Sequence, residues 1–209
     1  MKLIRRNFVR SLLVGAGGMG LLGERGRIYA LAQTDDNTGE PAAGHLFFNT
    51  DQVRTLEAIA DQLIPPDDYP GGKDAGVASF IDKALATWAP EHRWDYLAGL
   101  DGVNESSQLM FGHDFAALNT QDQTSVLTTM EKGTAPGEIW RRLRIAQPGS
   151  AVERYIDPAV ATEGTNSSRA FFDLVLRHAM EGYYAHPKYG GNRDSASWKM
   201  IGYLGMTHH

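Results

Sequence analysis

Residues 77–88 most constrain what this chain can fold into. Val77, Phe80, Ile81, Ala84, Leu85 and Trp88 recur there at i, i+3, i+4, i+7, i+8 and i+11. A turn of 3.6 residues places all six on one stripe, so the segment predicts an amphipathic helix with that stripe in a core. Pro90 follows and marks its end. The same period returns along the chain, and no alternating apolar–polar run of useful length competes with it. The fold class that follows is all-α, a single helical-bundle domain with long loops.

Further helices read out from their start and stop signals. Asn49 and Gln52 have capping-box spacing ahead of Val53, Leu56, Ala60, Leu63 and Ile64, which share a face. Pro65-Pro66 stops that helix, and residues 67–72 form a loop. Trp94, Leu97, Leu100 and Val103 predict a third helix reaching toward Met110. Thr120 with Gln123 forms another capping box before Val126, Leu127 and Met130, and Gly133 can close that helix in the left-handed conformation. Ile139, Trp140, Leu143 and Ile145 predict a short helix threaded by Arg141, Arg142 and Arg144. Ser167 or Ser168 caps a last helix that buries Phe171, Phe172, Val175, Leu176, Ala179 and Met180, with Gly182 closing it.

The first 32 residues read as an export signal. Arg5 and Arg6 form a twin-arginine pair, Phe8 stands two places after it, and Arg10 adds a further base. The apolar stretch from Leu12 to Leu22 is too short to cross a bilayer as a helix. Ala30 and Ala32 flank Leu31 as a small-x-small cleavage site. Ile4 departs from the Ser or Thr that the twin-arginine pattern prefers. The expectation is a periplasmic protein delivered by the twin-arginine translocase, with an uncleaved anchor or a cytoplasmic N-terminus as the alternatives. Residues 33–46 then read as a flexible linker, and residues 47–209 as the helical domain. Gly15, Gly17 and Gly20 match a dinucleotide-binding pattern, but Arg5, Arg6 and Arg10 crowd its would-be strand and no strand–helix alternation follows. Small residues filling a signal core explain that match better.

Composition excludes several chemistries. There are no cysteines, so this polypeptide holds no disulfide, Fe–S cluster, covalently attached c-type haem or Cys-ligated zinc. The formal charge is −5. Residues 1–32 contain six bases and one acid, which leaves −10 on the remaining 177 residues. Nucleic acid is therefore a poor partner. None of the seven histidines lies in a metal-ligand spacing. Asp61, Asp67, Asp68 and Asp74 fit no EF-hand and read as a solvated turn.

The C-terminal loop stands apart. Tyr183, Tyr184, Tyr189, Trp198 and Tyr203 place large amphipathic rings within a short stretch. Gly190-Gly191 permits a tight turn or close backbone approach, and Asn192, Arg193 and Asp194 can satisfy a partner's polar groups. Tyr183, Tyr184, His186, Pro187, Tyr189, Gly190, Gly191, Asn192, Arg193, Asp194 and Trp198 are thus candidate partner-binding residues. No catalytic, cofactor-binding or metal residue is assigned. The competing reading is a free-standing periplasmic enzyme or metal-binding protein, in which His186 and Asp194, with His178 or Glu181 near them, form the site.

Two stretches carry a family resemblance. One runs from Phe47 to Leu85 and includes Leu56-Glu57-Ala58-Ile59-Ala60-Asp61-Gln62-Leu63-Ile64-Pro65. The other runs from Phe171 to Gly202 and includes His186-Pro187-Lys188-Tyr189-Gly190-Gly191-Asn192. With the twin-arginine leader, they resemble the gluconate 2-dehydrogenase subunit 3 family, the small subunit of FAD-dependent sugar or polyol dehydrogenase complexes. The resemblance implies a non-catalytic accessory subunit with no cofactor of its own. FAD would sit in a large partner subunit of the glucose–methanol–choline type, and haem c in a possible membrane-bound cytochrome subunit. It further implies that this chain carries the export signal for its partner and assists the partner's maturation.

Overall fold

The computed structural model describes residues 41–143 and 167–203, all within the unit Pro41–His209. The export-signal residues Arg5, Arg6, Phe8, Ala30 and Ala32, linker residues 33–40, and Ile145 lie outside the described residues. The described residues contain seven α-helices and no strand: α1 (Thr50–Leu63), α2 (Val77–Thr87), α3 (Arg93–Phe111), α4 (Thr120–Glu131), α5 (Glu138–Arg142), α6 (Ser168–Tyr184) and α7 (Ala196–Met200). The all-α expectation holds. α6 packs on α2, α3 and α4, and α3 packs on α1, α4 and α5, so α3 and α6 organise the core.

Local signals account for most helix ends. Asn49 caps α1 in a complete capping box with Gln52, and α1 stops just before Ile64-Pro65-Pro66. Gly133 at φ +71 lets the chain leave α4 through a Schellman closure: its N–H donates to Met130 O, and Thr134 N–H donates to Thr129 O. The cap of α4 lies one residue earlier than expected. Asn119, not Thr120, accepts from Asp122 N, because Gln123 is drawn inward. There its amide donates to Phe115 O and its oxygen accepts from Gln62.

Three stripes are rotated from their expected positions. On α6 the buried set is Ser168, Phe171, Leu174, Val175, His178, Ala179, Gly182 and Tyr183, while Met180 is 42% exposed and Phe172 and Leu176 are half-buried. Polar His178 and bare Gly182 occupy core positions that an apolar count misses. Gly182 does not close α6, which continues to Tyr184; it lies where an added Cβ would sit 2.9 Å from Phe80. On α3 the buried set is Asp95, Tyr96, Gly99, Leu100, Gly102, Val103, Ser106 and Ser107, leaving Trp94 and Leu97 half-buried. The rings of Phe171 and Trp140 lie against bare Gly99 and Gly102, and Trp140 Nε1 donates to Ser106 Oγ at 2.7 Å. On α1, Ile59 joins the core, and Leu63 and Ile64 are half-buried.

Trp88 is the third departure in kind. It is 47% exposed, because α2 ends at Thr87 and the apolar stripe runs off the helix. The other five stripe residues of α2 are buried as the spacing predicts.

Residues 41–48 fold back on themselves and dock. Ala42 N–H donates to Phe48 O, and His45 N–H donates to Ala42 O. Buried Asp82 then accepts three consecutive backbone N–H groups, from Leu46 (2.6 Å), Phe47 and Phe48 (2.9 Å each).

Candidate functional site

α6 ends at Tyr184, and His186 opens a 3₁₀ turn over Pro187–Tyr189. Pro187 presets the first position of that turn, and His186 Nδ1 accepts from Lys188 N at 3.2 Å. Gly190, at φ +103, closes the turn against α2. A Cβ there would lie 3.2 Å from Ser79 O, and one on Gly76 would lie 2.9 Å from Gly190 O. Backbone meets backbone at this point, so the loop and the start of α2 approach more closely than side chains allow.

The loop is fastened on both sides. Gly191 lies against the Gly182 carbonyl of α6, with no room for a side chain. Arg193 N–H donates to Ala75 O at 2.9 Å, before α2. Between them Asn192 is fully buried; its amide donates to Ala185 O at 2.9 Å, and its oxygen accepts from Ser197 N at 3.0 Å. Asn192, Asp194 and Ser195 all hold positive φ (45°, 56° and 55°). Such backbone persists only where surrounding contacts over-determine it, at roughly 1 kcal/mol or more per residue.

The candidate residues therefore divide between interior and surface. Tyr183, Gly191 and Asn192 are buried, and Tyr183 donates its hydroxyl to Pro70 O at 2.9 Å. Burial, with Tyr184 and Asp67 nearby, raises the Tyr183 pKa. Pro187, Gly190 and Trp198 are half-buried, and Tyr184, His186, Tyr189, Arg193 and Asp194 are exposed. Trp198 Nε1 donates to Tyr184 O at 3.1 Å, and its ring meets His186 and Tyr203 edge-on at 5.3 and 5.0 Å. Tyr189 meets Trp88 edge-on at 5.6 Å, and Trp88 in turn meets Phe80 at 5.9 Å. Lys83 of α2 donates its ammonium to Lys188 O at 2.9 Å.

Trp88 and Lys83 were not among the sequence candidates. Their membership follows from the chain doubling back over α2, which no local pattern encodes. One signal was present: Trp88 stands at the last position of its stripe, directly before the helix-ending Ala89-Pro90.

The histidines do not gather. His186 faces the surface, whereas His178 lies inside, its Nδ1 2.9 Å from the Tyr96 hydroxyl and its ring stacked on Tyr96. His92 packs edge-on against His178 at 5.4 Å and bonds Asp95 at 2.9 Å. Burial, then the neighbouring His92 and Arg177, push the His178 pKa down to about 4. Burial likewise raises the Tyr96 phenol well above its usual value. Among the described residues, no group of three or more His, Asp or Glu side chains could hold a metal ion.

A groove of about 520 Å³ runs between α1 and α4, lined in part by Arg54, Glu57, Asp61 and Lys73. Its polar groups satisfy one another: Lys73 Nζ lies 3.3 Å from Glu57, and Lys73 N–H donates to Asp61. In the basic Trp140–Arg144 segment, Trp140 is buried and Arg141 pairs with Glu138, while Arg144 lies outside the described residues. Among the described residues, no helix is long and apolar enough to cross a membrane.

Comparison with known proteins places residues 50–205, most of the described domain, in the family described as gluconate 2-dehydrogenase subunit 3. Neither the curated proteins nor the solved structures yield a match. The matched span contains the seven helices of the described residues and the whole segment 183–203.

Proposed function

The chain belongs to the gluconate 2-dehydrogenase subunit 3 family, and from that premise we propose that it is a non-catalytic accessory subunit of an FAD-dependent sugar, sugar-acid or polyol dehydrogenase. A subunit of such a complex has partner subunits. The partner in this reading is a large flavoprotein of the glucose–methanol–choline type, which holds the FAD and performs the oxidation. A membrane-bound cytochrome c subunit is a further possible partner and ties the assembly to the membrane. Export runs through the twin-arginine translocase to the periplasm, with the Arg5-Arg6 leader serving both this chain and its partner.

One observation carries the reading. The loop following α6 is locked by Gly190, Gly191 and Asn192 onto two helices, yet Tyr189 within it and Tyr184 at the end of α6 stay at the surface, about 40% exposed each. A rigid backbone displaying amphipathic rings suits recognition of another protein, since little side-chain or loop entropy is lost on docking. Co-expression of the flavoprotein subunit with and without this chain tests the reading. The expected outcome is that the flavoprotein reaches the periplasm and loads FAD only in the presence of this chain. Unchanged export and unchanged flavin content in its absence sink the proposal.

A further inference from the structure

Four aromatic side chains form two contacting pairs at or near the surface, one on each side of the 3₁₀ turn. Trp88 (47% exposed) meets Tyr189 (39%) at 5.6 Å, while Trp198 meets Tyr203 (47%) at 5.0 Å. The 3₁₀ turn joins the two pairs, because His186 at its start contacts Trp198 and Tyr189 lies at its end. The two pairs are thus linked along the chain, and their rings come from the residue after α2, the turn, α7 and the segment after α7.

The charge around these rings runs against that of the chain. The whole sequence carries −5, yet residues 183–203 contain three bases (Lys188, Arg193, Lys199) and one acid (Asp194). Lys83 adds a fourth base beside Lys188. Lys188 Nζ lies 4.9 Å from the centroid of the Tyr189 ring, and Lys199 directly follows Trp198. Among the described residues, Lys83, Lys188 and Lys199 make no ion pair with a carboxylate. Lys83 gives one ammonium hydrogen to Lys188 O, while Lys188 and Lys199 stand beside these aromatics with no carboxylate partner among the described residues.

We infer that this basic-rimmed aromatic face docks a protein surface of opposite design, an apolar patch ringed by Asp and Glu side chains, on the flavoprotein subunit. The inference rests on the accessory-subunit reading and adds the contact face and the chemistry that recognises it. The rings fill the centre of the contact, where Trp and Tyr contribute most of the affinity. The lysines at the rim steer approach and exclude partners with basic surfaces. An anionic membrane is the weaker occupant, because the chain's net negative charge opposes it and the rings come from separate short segments rather than one amphipathic helix.

The test measures binding of the purified chain to the purified flavoprotein subunit at about 50 and 300 mM NaCl, alongside vesicles containing phosphatidylglycerol. Affinity for the flavoprotein should fall with salt, as rim charges are screened. Lys188→Glu with Lys199→Glu should weaken it about tenfold at low salt, mostly in the association rate. Trp88→Ala should weaken it roughly thirtyfold, with circular dichroism and melting temperature checking that the fold survives. Arg54→Glu, on the α1 groove, should leave it unchanged. Tight binding that ignores both the lysine reversals and Trp88 overturns the assigned face but leaves the accessory-subunit reading standing. Absence of wild-type binding removes both. Lysine-dependent binding to vesicles with none to the flavoprotein reassigns the face to a lipid surface and overturns the inference.

Discussion

The hydroxyl of Tyr96 and Nδ1 of His178 lie 2.9 Å apart inside the bundle, joining α3 to α6 at the centre of the core. His178 is held neutral there: burial, His92 and Arg177 all disfavour its charged form and lower its pKa to about 4. In the unfolded chain the same ring titrates near 6.5. The folded state therefore binds this proton less readily than the unfolded state. Stability from His178 is complete above about pH 6.5 and is lost as the pH falls through 4. The full loss is on the order of 3 kcal/mol, at about 1.4 kcal/mol per tenfold difference in proton affinity. Urea denaturation between pH 7.5 and 4 checks this. His178→Gln, which does not titrate, should flatten that part of the profile, and an unchanged slope in the variant assigns the acid loss to groups other than His178.

Asp82 offers a second test, of how the segment before α1 is held. Its carboxylate gathers the N–H groups of Leu46, Phe47 and Phe48, and the Arg93 guanidinium lies 5.5 Å from the Phe47 ring. Hydrogen bonds to a charged acceptor contribute about 1.5–3 kcal/mol each, less where water can replace the acceptor. Asp82→Ala should cost about 3 kcal/mol overall. The clearer readout is local: limited proteolysis should cut between residues 41 and 48 in the variant before it cuts the helices. Wild-type cleavage kinetics in Asp82→Ala would show that Phe48 burial alone holds the segment.

A third prediction concerns the face of α3 that carries two bare glycines. An added Cβ at Gly102 would lie 2.7 Å from Trp140 Cζ2, and one at Gly99 would meet the Phe171 ring. Alanine favours helix over glycine by about 1 kcal/mol. Overpacking a full core costs about 1–3 kcal/mol, so the clash should win. Gly102→Ala is expected to destabilise by about 1–2 kcal/mol and to perturb the near-ultraviolet dichroism of Trp140. A stabilised Gly102→Ala would mean that α5 moves aside at little cost.

The difference between what the sequence disclosed and what it hid follows a physical line. The Asn49–Gln52 box, the Pro65-Pro66 stop, the Gly133 closure and the α2 stripe were legible because each depends on a few neighbouring residues. Rotation of the α3 and α6 stripes was hidden because Gly99, Gly102, Ser106 and His178 are core residues only by virtue of what packs on them. Periodicity counts apolar side chains, and a glycine that admits an indole edge scores as nothing. The candidate loop was legible in composition and chain position, but not in which residues turn inward. Burial of Asn192 and the packing of Tyr189 on Trp88 both depend on the return of the chain over α2, a contact about a hundred residues apart in sequence.

Asn192 gives the sharpest test of how the loop is locked. Its side chain satisfies Ala185 O and Ser197 N, and its backbone sits at φ 45°. Asn192→Ala loses both bonds, strands two polar groups away from water and places a Cβ residue in the left-handed region. About 3 kcal/mol follows, roughly 2 from the bonds and 1 from the backbone. Asn192→Gly loses the same bonds but not the backbone term, and should fall about 1 kcal/mol short of the alanine variant's cost. Asn192→Asp keeps the acceptor for Ser197 but points a second carboxylate oxygen at the Ala185 carbonyl, and it buries a charge; it should be the least stable near neutral pH. Urea denaturation of the series checks the order Asn, Gly, Ala, Asp from most to least stable. Equal costs for glycine and alanine would show that the left-handed backbone adds nothing, and that the two hydrogen bonds alone close the loop.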